Sequence, residues 1–175
     1  MPFIRIVFLC LFAAISYGIL HDQITARVCV EYFTVGHPPV FDTDSPTWLA
    51  LGWGILATWW VGLLLGIPAA VVSRVGELPK FDAGRLIRPV CILLGVMGLT
   101  SVLAGVAGYL AANAGGVWLV EPLRSQVPVA KHSAFLADLW AHTAAYAVGI
   151  AGGVVLWLWI LRSRYRMAIS SSLPQ

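Results

Sequence analysis

The sequence predicts an all-α fold, a four-helix transmembrane bundle built as one domain from residues 1–175. Hydrophobic residues make up 59% of the chain, charged residues only 11%, and the mean hydropathy is +0.85. A soluble domain usually carries about 25% charged residues, and a globule of this size exposes too much surface to hide so much apolar material. The apolar runs are long and do not alternate with polar residues, so helices are predicted rather than a β-barrel.

Four apolar segments are long enough to cross a bilayer, which takes about 20 helical residues. They cover residues 3–20, 48–73, 89–112 and 139–161. The first segment contains a single charge, Arg5, and has the general form of a signal peptide. Its cleavage site is poor, because Ala14-Ile15-Ser16 fits the small-x-small pattern only roughly. We therefore expect this segment to remain as the first span.

Helix start and stop signals set the ends of the segments. No glycine or proline occurs between Ile19 and Val35, so a polar helical extension is predicted after the first span, ending at 36–39 (Gly-His-Pro-Pro). Ser45 and Pro46 provide an N-cap and a first helical residue for the second span. In the third span, residues 113–116 (Asn-Ala-Gly-Gly) predict the end of the helix. Pro68 is expected to kink the second span.

The basic residues predict the orientation. With the N-terminus inside, eight of the eleven lysines and arginines lie on the cytoplasmic side and three on the outer side. This bias favours an inner-membrane protein with both termini in the cytoplasm. The net charge of +3 comes from residues at the ends of the apolar segments, where they contact lipid headgroups. No basic patch interleaved with aromatic residues is present, so nucleic acid is not an expected partner.

Histidines and acids accumulate on the predicted outer side. All four histidines and six of the eight acidic residues fall there. Two pairs are the best candidates for a site: His21 with Asp22 at the end of the first span, and Asp138 with His142 at the start of the fourth. Residues four apart lie on one helix face, so Asp138 and His142 are predicted to point the same way.

Small residues indicate which way these side chains point. Ala145, Gly149 and Gly153 continue the face of His142, and Gly18 lies on the face of His21. Small residues at four-residue spacing allow helices to approach closely in lipid. Both histidines are therefore predicted to point into the bundle and to converge at its outer end.

Imidazole and carboxylate together are ligands for zinc or iron, whereas a softer site would use thiolate. The sequence thus predicts a metal site formed by His21, Asp22, Asp138 and His142, at the outer membrane face. Further candidates are His37, His132 and Glu31. Glu31 lies about 15 Å along a continuous helix from His21, and an ion pair with Arg27 is the simpler interpretation of it.

Other functions remain open at this stage. The same groups, without a metal, form a hydrogen-bonded or proton-active pair. A metal-free structural or assembly subunit of a membrane complex, or a homo-oligomer, is a further alternative. Two histidines on separate spans also suit haem b, although carboxylates beside both histidines argue against it. The sequence contains neither a zinc-hydrolase HExxH motif nor a nucleophile elbow, so no reaction is predicted.

Overall fold

The computed structural model describes residues 1–172, and the regular secondary structure in that range is all helical. Seven α-helices and one 3-10 turn, Val129–Lys131, follow one another along the chain. The α-helices are α1 (Pro2–Val28), α2 (Val30–Thr34), α3 (Pro46–Leu56), α4 (Trp59–Arg74), α5 (Ala83–Asn113), α6 (Leu123–Gln126) and α7 (His132–Ser172).

Four stretches of the described chain are long and apolar enough to cross a membrane: Pro2–Val28, Pro46–Arg74, Ala83–Asn113 and Val129–Ser171. The predicted all-α class with four candidate spans is therefore confirmed. Each of these four stretches is longer than the apolar segment that predicted it. Helix α5, the third span, ends at Asn113 as predicted, and Gly115 adopts the left-handed conformation (φ +74°) that turns the chain.

The helices form two antiparallel pairs, α1 with α3–α4 and α5 with α7. Glycines allow the closest approaches: a Cβ on Gly54 would stand 2.6 Å from the backbone of Ile19. In the other pair, a Cβ on Gly108 would stand 3.0 Å from the carbonyl oxygen of Leu136. The two pairs are joined more loosely, and the space between them contains the central cavity described below.

We call the end of the bundle where α1 ends and α7 begins the distal end. The opposite end, where α1 begins and α4 meets α5, is the proximal end. At the proximal end Arg164 is 1% exposed, and its guanidinium group is bound entirely by backbone carbonyls. It donates hydrogen bonds to Val75 (3.0 Å), Leu78 (2.9 Å), Pro79 (2.9 Å) and Val72.

The polar helical extension predicted after the first span is present as the end of α1 and as α2, with one interruption. The extension after the first span is not continuous, because Cys29 is extended (φ −149°, ψ 96°) and separates α1 from α2. The second span is interrupted at Ala57–Thr58; Pro68 lies inside α4, and the kink expected there stays a prediction. At the interruption the Thr58 hydroxyl donates to the carbonyl oxygen of Gly54, and the Tyr146 hydroxyl donates to that of Ala57 (3.2 Å).

Candidate functional site

The distal ends of α1 and α7 bring two histidines into contact. His21 and Asp22 lie two turns before the end of α1, and His142 lies in the third turn of α7. The imidazole rings of His21 and His142 are perpendicular, with centroids 4.5 Å apart. The predicted convergence of these two histidines is therefore observed, and the side chain of Asp22 completes the cluster.

Both ring nitrogens of His142 have partners. Nδ1 lies 2.8 Å from the carbonyl oxygen of Asp138, and Nε2 lies 3.2 Å from Oδ1 of Asp22. A carbonyl oxygen can only accept, so Nδ1 carries a hydrogen and donates it. In a neutral imidazole Nε2 is then an unprotonated acceptor, facing a carboxylate oxygen that is also an acceptor. A positive species must stand between them, either a proton on one of the two groups or a metal ion.

His21 supplies a third potential ligand. Its ring stacks on Tyr17 with centroids 5.7 Å apart, and its Nε2 is buried without a hydrogen-bond partner. His21, Asp22 and His142 each offer one potential ligand atom, and these three atoms lie within 4.8 Å of one another. An unpartnered buried nitrogen is unusual in a folded protein, and a metal ion would provide the partner that this one lacks.

Asp138 is not part of this three-residue group, although the sequence placed it there. It shares a helix face with His142 as predicted, but its backbone carbonyl, not its carboxylate, contacts the imidazole. The side chain turns towards the backbone N–H of Cys29, and Asp138 is only 1% exposed. Its Oδ2 is buried without a hydrogen-bond partner. The carboxylate facing His142 thus comes from α1.

His37 lies over the distal side of the cluster. Its Nδ1 is 2.8 Å from the carbonyl oxygen of Tyr32, and its ring is 4.6 Å from that of Trp53. His37 lines the same central cavity as His21, Asp22 and His142. His37 therefore lies beside the cluster, with its Nδ1 engaged by the backbone.

The other two candidates lie elsewhere. His132 is the first residue of α7, and its Nε2 lies 3.0 Å from the carbonyl oxygen of Val127 in the preceding segment. The Glu31 carboxylate accepts a hydrogen bond from the Cys29 thiol (3.3 Å). The ion pair between Arg27 and Glu31 does not form in the described chain, because Arg27 donates to Gln23 and Thr47 instead. Burial and the neighbouring Glu31 raise the pKa of the Cys29 thiol to about 12.

Aromatic residues cover the site, and sequence reasoning did not find them. The Tyr32 ring stacks on His142 with centroids 4.5 Å apart, and the Phe33 ring lies 5.8 Å from it, edge to face. Burial raises the pKa of the Tyr32 hydroxyl, so it stays neutral. The break at Cys29 directs these rings back onto the cluster. The available signal was the polar stretch 21–39, which a membrane span alone does not explain.

A central cavity of about 140 Å³ extends from the cluster into the bundle. Its wall is mostly apolar and contains small residues, including Gly18, Gly62 and Gly149. It reaches Cys10, eleven residues along α1 from His21, which corresponds to about 16 Å. The polar groups therefore close one end of an otherwise apolar space.

Comparisons with protein-family models, with curated proteins and with solved structures find no match for this chain.

Proposed function

We propose that the protein is an integral membrane metalloprotein in which His21, Asp22 and His142 bind one divalent transition metal. The observation that carries the proposal is the pair of facing acceptors, His142 Nε2 and Asp22 Oδ1, at 3.2 Å. The Nδ1 hydrogen of His142 is committed to a backbone carbonyl. A hydrogen bond of this kind orients most metal-binding histidines.

The distances suit a metal after a small adjustment. Two ligand atoms at about 2.0–2.1 Å from a tetrahedral zinc stand about 3.3 Å apart, close to the 3.2 Å between Nε2 and Oδ1. The His21 nitrogen, within 4.8 Å of both, would move inward by about 1–1.5 Å to complete such a geometry. Two imidazoles and one carboxylate favour zinc or iron(II).

Three protein ligands leave one coordination position for water or for another ligand. In sites of this type the metal lowers the pKa of its bound water to about 7, which supports hydrolysis. The proposed location is the outer face of the inner membrane, with both termini in the cytoplasm. The bias of lysines and arginines towards the proximal end supports this location.

A proton-active pair is the second candidate, and the His142–Asp22 contact favours it. If the imidazole is protonated, Nε2 donates to Oδ1 and the two side chains form a buried ion pair. The site would then hold a proton and no metal. The third alternative, a metal-free assembly subunit with a membrane-protein partner or a second copy, assigns the cluster a structural role.

Haem b fits poorly. Two imidazoles on opposite faces of a haem are separated by two metal–nitrogen bonds of about 2 Å each, which places their ring centroids well beyond the 4.5 Å observed. The perpendicular rings of His21 and His142 suit two adjacent positions around a small ion instead.

Metal analysis tests the proposal. The protein is purified without chelator, reconstituted with zinc or iron(II), desalted and analysed for bound metal. We expect about one ion per chain in the wild type and a nearly complete loss in His142→Ala and Asp22→Asn. His132→Ala is the matched control, because the His132 ring contacts the carbonyl oxygen of Val127 and is not part of the cluster; it should keep the ion. Zinc at 100 times its Kd should also stabilise the wild type by about 2.7 kcal/mol and leave His142→Ala unchanged.

Two results would contradict the proposal that His21, Asp22 and His142 bind a metal. A wild type that binds no stoichiometric ion after reconstitution would favour the proton pair, and infrared spectroscopy of Asp22 across a pH titration would then detect the shared proton. Retention of the ion by His142→Ala would place the metal elsewhere on the protein.

A further inference from the structure

A second space adjoins the site from the side, between α1 and α5, with α7 as its floor. This groove has a volume of about 600 Å³, within the range of small-molecule sites. Its rims are exposed apolar side chains that face outward from the bundle. They include Leu20, Ile24, Val102, Val106 and Leu110. In a membrane this groove opens towards the lipid.

The floor of the groove includes a buried carboxylate that has an unpartnered oxygen in the described chain. Asp138 lines the groove, is 1% exposed, and has an Oδ2 with no hydrogen-bond partner. Two hydroxyls of the groove are paired: the Tyr17 hydroxyl donates to Ser101 (3.3 Å), which donates to the carbonyl oxygen of Ala141 (2.9 Å). Nε2 of His21, which also lines the groove, has no partner either, and the proposed metal would bind it. A buried carboxylate oxygen without a donor is costly, so a hydroxyl donor bound in the groove would stabilise Asp138.

The length of the groove matches one leaflet of a bilayer. Along α1 it runs from Tyr17 to Val28, eleven residues or about 16 Å, and the hydrocarbon core is about 30 Å thick. The groove therefore accommodates a single hydrocarbon chain lying parallel to the helices, with Asp138 beside it.

We propose that this groove binds a neutral lipid that has a free hydroxyl group, with the hydroxyl donating to Oδ2 of Asp138. The apolar rims contact the hydrocarbon chain. An anionic headgroup is disfavoured, because no lysine or arginine lines the groove and Asp22 lies nearby. A second copy of this chain would fill the apolar rims but would have to supply a donor at the same depth. The binding site stands whether or not the neighbouring histidines hold a metal.

The structure offers a matched pair of variants on one helix. A Cβ on Gly98 meets no atom within 4 Å, and Gly98 lines the groove. A Cβ on Gly95, one turn earlier, also meets no atom within 4 Å, but Gly95 lines neither the groove nor the central cavity. Leucine at either position improves helix propensity, so Gly98→Leu fills the groove and Gly95→Leu serves as the control.

The test uses a long-chain primary alcohol with a diazirine in its chain, photocrosslinked to the full-length protein in nanodiscs and mapped by peptide mass spectrometry. We expect adducts within 17–28 and 98–110. Unlabelled alcohol should compete about fivefold better than its methyl ether, the factor expected for one hydrogen bond. Gly98→Leu should reduce these adducts at least about fivefold, and Gly95→Leu should not. Asp138→Leu should remove the difference between alcohol and ether.

Three outcomes would overturn the proposal. Adducts spread equally over all lipid-facing helices would mean that only annular lipid is present. Equal competition by alcohol and ether in the wild type would remove the role of Asp138. Crosslinks from the groove to a second chain would make it an interface between copies. Crosslinking measures lipid binding and elemental analysis measures metal content. A failure of the lipid proposal is therefore distinguishable from a failure of the metal proposal.

Discussion

Replacing Arg164 tests the reasoning about buried charge in this bundle. The Arg164 side chain is 1% exposed and donates to four backbone carbonyls at the end of α4 and in the following loop. No carboxylate pairs with it in the described chain. Carbonyls at a helix C-terminus lack intrahelical partners and carry partial negative charge, so the guanidinium satisfies groups that would otherwise be unpaired.

The expected loss follows from the number of bonds. Each hydrogen bond contributes about 1 kcal/mol net, so Arg164→Met should lower the free energy of unfolding by about 4 kcal/mol. Arg164→Lys keeps the charge but loses the planar fork, and about half of that loss is expected. SDS titration in mixed micelles, followed by tryptophan fluorescence, measures the change. Arg166→Met is the control. Arg166 is exposed on the same helix, so its replacement removes the same charge without removing a buried contact.

A difference of less than about 1 kcal/mol between Arg164→Met and Arg166→Met, the contribution of one hydrogen bond, would show that the carbonyl contacts do not stabilise the bundle. Water would then replace the guanidinium at the carbonyls without penalty. If Arg164→Met does not fold, the Arg164→Lys variant measured against the same control answers the question.

Three further predictions concern orientation, packing and thiol reactivity. Single cysteines are introduced at Gln126 and at Gln175, the latter outside the described residues, and an impermeant thiol reagent is added outside the cell. Only the cysteine at Gln126 should react, and labelling at Gln175 would reverse the proposed orientation. Gly54→Ala should cost about 1–3 kcal/mol by overpacking, since its Cβ would stand 2.6 Å from α1, whereas Gly95→Ala has open space and should cost nothing; equal unfolding energies would contradict the close contact. Burial and Glu31 raise the pKa of the Cys29 thiol to about 12, so maleimide at pH 8 should modify it far more slowly in the folded protein than in SDS, and equal rates would show that the thiol is free.

The helices, and the end of the bundle at which the candidate site lies, could be predicted from the amino-acid sequence alone. Hydropathy and length are local properties, so the four candidate spans and the helix end at Asn113 could be predicted. Helical periodicity is equally local, and it placed His21 and His142 on the small-residue faces along which the helices meet.

Which side chains meet at the candidate site depends on how the helices pack against one another. Periodicity gives a face but not the rotation and spacing of two helices, which depend on backbone contacts such as the one between Gly54 and Ile19. That geometry puts the Asp22 carboxylate against His142 and leaves Asp138 facing the groove. Arg164 shows the same limit, because its partners are backbone carbonyls of another segment, and a carbonyl leaves no signal in the sequence.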